Sequence, residues 1–238
     1  MVSKGDSDFP TTQWTLIARL RSEDEGISRQ ALEALCVQYH YPLYCYIRQR
    51  GLAHHDAQDA LQDFFAKLLR LGSLKNVDMT KGRLRSFLAV SLRRFISNWR
   101  RDGLRRRMEI SLEDVHETRF RQEQFSSEVT PEMALERVWA ATLLRSALDD
   151  LAAAEMLAGR RATYTALEPF LSPLSGSANY PTVATSLGVT EVAVRQAVKR
   201  LREKFRKHLR RRVAETLAVP KEDQIDEEMM ALRAVLTG

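Results

Sequence analysis

Apolar residues recur at intervals of three and four along most of this chain. Nowhere do they alternate with polar residues over the length of a β-branched strand. The broadest stripe is Ala57, Ala60, Leu61, Phe64, Phe65, Leu68 and Leu69, which predicts a helix over 54–71. A stripe of Ala31, Leu32, Leu35, Cys36 and Tyr39 predicts one from 28 to about 40. There Pro42 breaks or kinks the chain before 43–50 continues helically to Gly51. Leu84, Phe87, Leu88, Phe95 and Trp99 mark a helix over 83–101 that Gly103 ends. Thr130 and Pro131 open another, continued by Val138, Ala141, Leu144 and Leu148 over 134–156. Shorter amphipathic pieces are expected at 9–20, at 164–171 before Pro173, and at 227–236 in the tail.

The pattern gives an all-α chain: two small helical domains joined by a flexible linker, the second containing a helix-turn-helix. The stretch from Gly103 to Thr130 is polar, charged and sparsely apolar, so the boundary falls there. The expected divisions are an N-terminal segment with a short helix (1–27), a first domain (28–105), a linker (106–130), a second domain (131–214) and an acidic tail (215–238).

The most specific stretch is 180–212. Val183, Ala184 and Leu187 line the inner face of a short helix, for which Thr182 is the expected cap. Gly188 supplies a left-handed turn, and Thr190 caps a second helix that buries Val194, Val198, Leu201 and Phe205. Arg195, Gln196, Lys199 and Arg200 share the opposite face, where a helix-turn-helix presents side chains to base edges in a major groove. The plainer alternative is a helical hairpin with a solvated basic face.

Charge sharpens this picture. Basic residues exceed acidic ones by 37 − 31 = 6, and the excess is concentrated. Residues 81–107 hold ten basic side chains and one acid, and 195–212 again ten against one, whereas 215–228 holds six acids and one lysine. Two basic blocks point to two contacts with a polyanion, and a phosphate backbone is the usual one. The tail is compatible with a solvated terminus, a brace on the second domain, or a mask over the basic helix. No apolar run reaches membrane-spanning length and no secretory signal is expected. Two cysteines, Cys36 and Cys45, fall on opposite faces if one helix carries both. They read as small buried hydrophobes of a cytoplasmic protein rather than a disulfide. The five histidines form no zinc-ligand spacing with them, and no phosphate loop or nucleophile–base arrangement occurs. Neither a metal, nor a cofactor, nor enzyme activity is therefore expected. His54-His55-Asp56 reads as a helix N-terminus rather than a catalytic group.

In this order the parts resemble an extracytoplasmic-function sigma factor, the small two-domain specificity subunit of bacterial RNA polymerase. DAQDALQDFFAKLL at 56–69 is similar to the family's polymerase-docking region, GRLRSFLAVSLRRFISNWRR at 82–101 to its −10-reading and melting region, and YPTVATSLGVTEVAVRQAVKRLRE at 180–203 to its −35-reading helix-turn-helix. The likeness covers about 28–105 and 135–212. It implies that Asp56, Asp59, Gln62 and Asp63 contact core RNA polymerase, whereas on their own they read as a solvated acidic face or, less readily, a weak metal site. It implies further that Arg93, Arg94, Asn98 and Trp99, with Arg100 beside them, meet promoter DNA as it opens, and that Arg195, Gln196, Lys199 and Arg200 read closed duplex. A positive groove with flat rings is what unpaired bases require. The partners implied are core RNA polymerase, promoter DNA and an anti-sigma factor or other regulator, with no membrane. Gln58 departs from the family, which more often has an acid there, and 157–179 enlarges the second domain. A free-standing helix-turn-helix regulator, independent of polymerase, is the alternative. An acidic docking helix followed by a basic, aromatic one has no evident use in it.

Overall fold

Residues 19–20, 22, 24–70, 83–102, 119–120, 129–171, 179–217 and 220–237 are described by the computed structural model. Over them the chain is all helical, apart from one isolated antiparallel bridge between Arg83 and Leu217. The α-helices are α1 (Glu25–Gln49), α2 (His54–Arg70), α3 (Leu84–Asp102), α4 (Pro131–Leu157), α5 (Arg161–Leu167), α6 (Tyr180–Leu187), α7 (Glu191–Thr216) and α8 (Glu222–Thr237). A 3₁₀ turn, Glu168–Leu171, follows α5. Nearly all of the helix expected at 9–20, the loops after α2 and α3, and nearly all of the expected linker lie outside the described residues.

The chain divides into two compact units. The first is Met1–Thr142 with Ala214–Gly238, and the second is Leu143–Val213. Both divisions fall inside helices, α4 and α7, rather than in the stretch at 106–130.

In the first unit, α1, α2 and α3 pack on one another. Asp24 caps α1, its carboxylate accepting from the amides of Gly26 at 2.8 Å and Ile27 at 3.1 Å, so the helix starts three residues before Ser28. Pro42 neither breaks nor ends it. An interior proline costs about 3 kcal/mol. Here the whole run Tyr41 to Ile47 is buried, and burying a large apolar side chain returns about 1.5–3 kcal/mol. Burial therefore outweighs the lost backbone bond. Cys36 is half-buried and Cys45 buried, and neither is in a disulfide.

The buried row of α3 is Leu84, Leu88, Leu92 and Ile96, while Phe87, Phe95 and Trp99 are only half-buried at its edge. Of the apolar stripe that marked this helix, Leu84 and Leu88 are core and the three aromatics flank it. Phe95 meets Phe64 of α2 edge-on, with ring centroids 5.6 Å apart. In α4 the buried apolar residues are Ala134, Leu135, Val138, Trp139, Ala140, Leu143, Ala147 and Leu151, so of the expected row only Val138 is buried. Ala141 is exposed, and Leu144 and Leu148 are half-buried. Apolar residues lie on every side of this helix, so spacing alone does not select the face. Thr130 does cap it, accepting from the Met133 amide at 3.2 Å.

Two further features of this unit differ from the sequence reading. Arg119 and Phe120, from the expected linker, pack on α1. The Arg119 guanidinium lies 3.8 Å from the centre of the Tyr41 ring, and Phe120 sits edge-on to Tyr44 with Arg48 over its face at 4.6 Å. The acidic tail groups with the first unit, which none of its three readings anticipated. Helix α8 buries Ile225, Glu228 and Leu232, and Glu228 pairs with Arg83 at 2.7 Å and with Arg85. Arg85 is 3% exposed and Glu228 1%, and Glu136 of α4 also receives the Arg85 Nε–H at 2.8 Å. The Trp139 ring faces the same guanidinium at 4.1 Å. Burial works against the Arg85 charge, but Glu136 and Glu228 outweigh it and hold the group protonated.

The second unit has its own core of Leu151, Tyr164, Leu167, Phe170, Ala184, Val194, Val198 and Leu201, with Phe205 packed against it. Helices α5 and α6, the 3₁₀ turn and the faces of α4 and α7 within this unit all contribute.

Candidate nucleic-acid interface

In the second unit, α6 and α7 are joined through a turn at Gly188, Val189 and Thr190. Gly188 adopts φ 65° and ψ 31°, a left-handed conformation that a Cβ disfavours. Its amide bonds back to the carbonyls of Ala184 and Thr185, and the Val189 amide reaches the Ala184 carbonyl at 3.0 Å. The orphan carbonyls of α6 are thereby satisfied. Thr190 caps α7 through the Ala193 amide at 3.2 Å. Thr182 does not cap α6, because that helix begins earlier, at Tyr180 behind Asn179, and leaves Thr182 inside it.

With Val194, Val198 and Leu201 buried, the helical period turns Arg195, Gln196, Lys199 and Arg200 outward, and all four are exposed. Arg195 is oriented from two sides. Glu191 accepts from its guanidinium at 2.6 Å, and the Tyr180 ring lies 4.3 Å beneath it. Tyr180 in turn packs on Phe170, with centroids 4.5 Å apart, so the core of the unit reaches this arginine.

The ten basic residues of α7 do not act as one charged face. Lys204 is bonded to Glu155 at 2.6 Å, Arg202 to the Phe170 carbonyl at 2.9 Å, and Arg211 and Arg212 to Asp150 at 2.9 and 2.6 Å. Glu155 also accepts from Arg160 at 2.6 Å, and these hydrogen bonds hold its carboxyl down to about 2 against the effect of burial. For Asp150, burial would raise the carboxyl, but the bonds from Arg212 and Arg211 outweigh it and the pKa is lowered. Burial, then the charge of Arg211, lowers the His208 imidazole, which disfavours its charged form. Lys199, Arg200, Arg206 and Lys207 stay exposed. Sequence reasoning missed this division because the carboxylates lie about fifty or more residues earlier.

In the first unit, Asp56, Asp59 and Gln62 are exposed on α2, with Asp56 in the first turn, where a carboxylate meets the positive end of the helix dipole. Asp63 is half-buried and accepts from the Trp99 indole N–H at 3.0 Å. Arg93, Arg94 and Asn98 are exposed on α3, and the side chain of Arg100 lies outside those described. A residue assigned to docking and one assigned to opened DNA are therefore in direct contact. Sequence spacing gave no sign of it. His54 is engaged with Tyr44, whose hydroxyl lies 2.9 Å from its Nδ1. Among the described residues no three His, Cys, Asp or Glu side chains gather as metal ligands would, and no helix is long and apolar enough to cross a membrane.

Comparison with family models, with curated proteins and with solved structures finds no match to this chain.

Proposed function

We propose that this chain is an initiation factor similar to the extracytoplasmic-function sigma factors, binding core RNA polymerase and directing promoter recognition, melting and the start of transcription. On this reading α6 and α7 are a helix-turn-helix whose Arg195, Gln196, Lys199 and Arg200 read the −35 duplex. Arg93, Arg94, Asn98 and Trp99 handle the opened −10 strand, and Asp56, Asp59, Gln62 and Asp63 dock on polymerase. The observation that carries it is the second unit's geometry: a left-handed Gly188 turn, a capped α7, and four polar side chains turned outward together beside a buried apolar row. The exposed carboxylates on α2 and the exposed basic residues on α3 support the remaining roles.

Purified full-length chain should bind core polymerase and support run-off transcription from promoters selected out of a genomic library. Reversing charge at Asp56 and Asp59 together should weaken polymerase binding while leaving helix content unchanged, because both side chains are exposed. Sequence-specific duplex binding without any affinity for polymerase would instead make the chain a free-standing regulator.

A further inference from the structure

Val192 stands 65% exposed in the first turn of α7. A β-branched apolar residue in water on a helix has neither packing nor propensity to recommend it. It is not part of the buried row, which runs through Val194, Val198 and Leu201. Residues three and four apart share a helix face, so Val192 lies beside Arg195 and Gln196, one turn nearer the helix start. Thr190, bonded to the Ala193 amide at 3.2 Å, fixes where that turn begins.

Exposed apolar residues occur elsewhere in the chain, but Val192 is set beside Arg195 and Gln196, and an apolar group there is suited to one presented on an otherwise polar surface. In the major groove the only such group is the C5-methyl of thymine. Gln196 beside it has the donor–acceptor pair that matches adenine, the partner base of thymine. We propose that Val192 is a specificity-determining residue that packs on the 5-methyl group of one thymine in the duplex read by α7. This rests on the reading that α7 enters a major groove, and it adds that part of the recognised sequence is an A·T pair chosen through its methyl group.

The test uses full-length chain with core RNA polymerase and a duplex selected by them from a randomised pool. Each thymine of that duplex is replaced singly by uracil, which removes the methyl group and nothing else. At one position uracil should weaken binding by about fourfold, the worth of one buried methyl. Val192→Ala should abolish that penalty, and Val192→Ile should restore it. If no position shows a penalty that differs between the natural chain and Val192→Ala, while Arg195→Ala still relaxes the selected sequence, this inference falls and the role of α7 stands. If Val192→Ala lowers polymerase binding without changing any uracil penalty, the exposed valine serves a protein contact and the inference is likewise overturned. If no preferred duplex emerges, or Arg195→Ala and Arg200→Ala leave the preference intact, the reading of α7 itself fails and the inference with it.

Discussion

Replacing Glu228 by glutamine removes one charge and almost no volume from the cluster that ties α8 to its unit. The side chain is 1% exposed, and Arg85 opposite it is 3% exposed. Removing one partner of a buried ion pair costs about 3–5 kcal/mol. In this cluster Glu136 still holds Arg85 at 2.8 Å and the Trp139 ring still covers it, so the arginine is not left wholly uncompensated, and about 2–3 kcal/mol is the appropriate figure. Arg83 is 41% exposed and regains water when Glu228 is neutralised, so it adds little. Because the chain has two units, a single unfolding midpoint would blur the effect, and hydrogen exchange at the α8 amides reads it locally. A loss of 2–3 kcal/mol corresponds to exchange about 30- to 150-fold faster, if α8 opens as a unit. Arg83→Gln, the exposed control, should accelerate it less than about fivefold. Exchange at α8 in Glu228→Gln within threefold of the natural chain would show that Ile225, Leu232 and the backbone hold the helix without the buried charge.

Two other outcomes follow from the second unit. The Glu155 carboxyl is depressed from 4.5 to about 2, so its contribution is fully present above about pH 4.5 and is lost as the pH falls toward 2. The whole shift would be worth about 3.4 kcal/mol, but Arg160 and Lys204 are 49% and 43% exposed, and solvent screening brings this to about 1–2 kcal/mol. Acid titration of unfolding should therefore find Glu155→Gln less stable at neutral pH, with the gap closing between pH 4.5 and 2; a constant gap would contradict the pairing. Gly188→Ala should cost about 1–2 kcal/mol by thermal unfolding, from the backbone conformation alone, since a Cβ there meets nothing within 4 Å. An unchanged or raised midpoint would refute the need for glycine at this turn.

The all-helical class, the Gly188 turn, the caps at Thr130 and Thr190 and the outward set on α7 were legible because each is a local matter of period, cap and turn chemistry. The expected break at Pro42 does not occur because a local rule met a burial that only tertiary packing supplies. The buried row of α4 was misplaced because Ala141, Leu144 and Leu148 compete with Leu135, Trp139 and Leu143 for the same role. Charge was the least legible property. Arg85 reads like its neighbours Arg93 and Arg94, yet it is buried between carboxylates that lie 51 residues away at Glu136 and still farther at Glu228. Lys204 and Arg212 count toward a basic block in sequence, but in the fold they are held by Glu155 and Asp150.

The contact between Asp63 and Trp99 bears on how the two roles proposed for the first unit can be separated. The indole N–H is engaged by a carboxylate at 3.0 Å, so only the ring itself is left to meet an unpaired base. The same bond holds Asp63 half-buried, facing Trp99 rather than wholly outward like Asp56 and Asp59. Asp63→Ala would therefore loosen the ring, and Trp99→Ala would leave a half-buried carboxylate without its indole donor. Either change would disturb docking and strand opening together. Asp59 on α2 and Arg94 on α3 are exposed and take no part in this bond, so they report the two roles singly. If docking and melting are distinct functions of one unit, substitutions at these two positions should combine additively, whereas those at Asp63 and Trp99 should not.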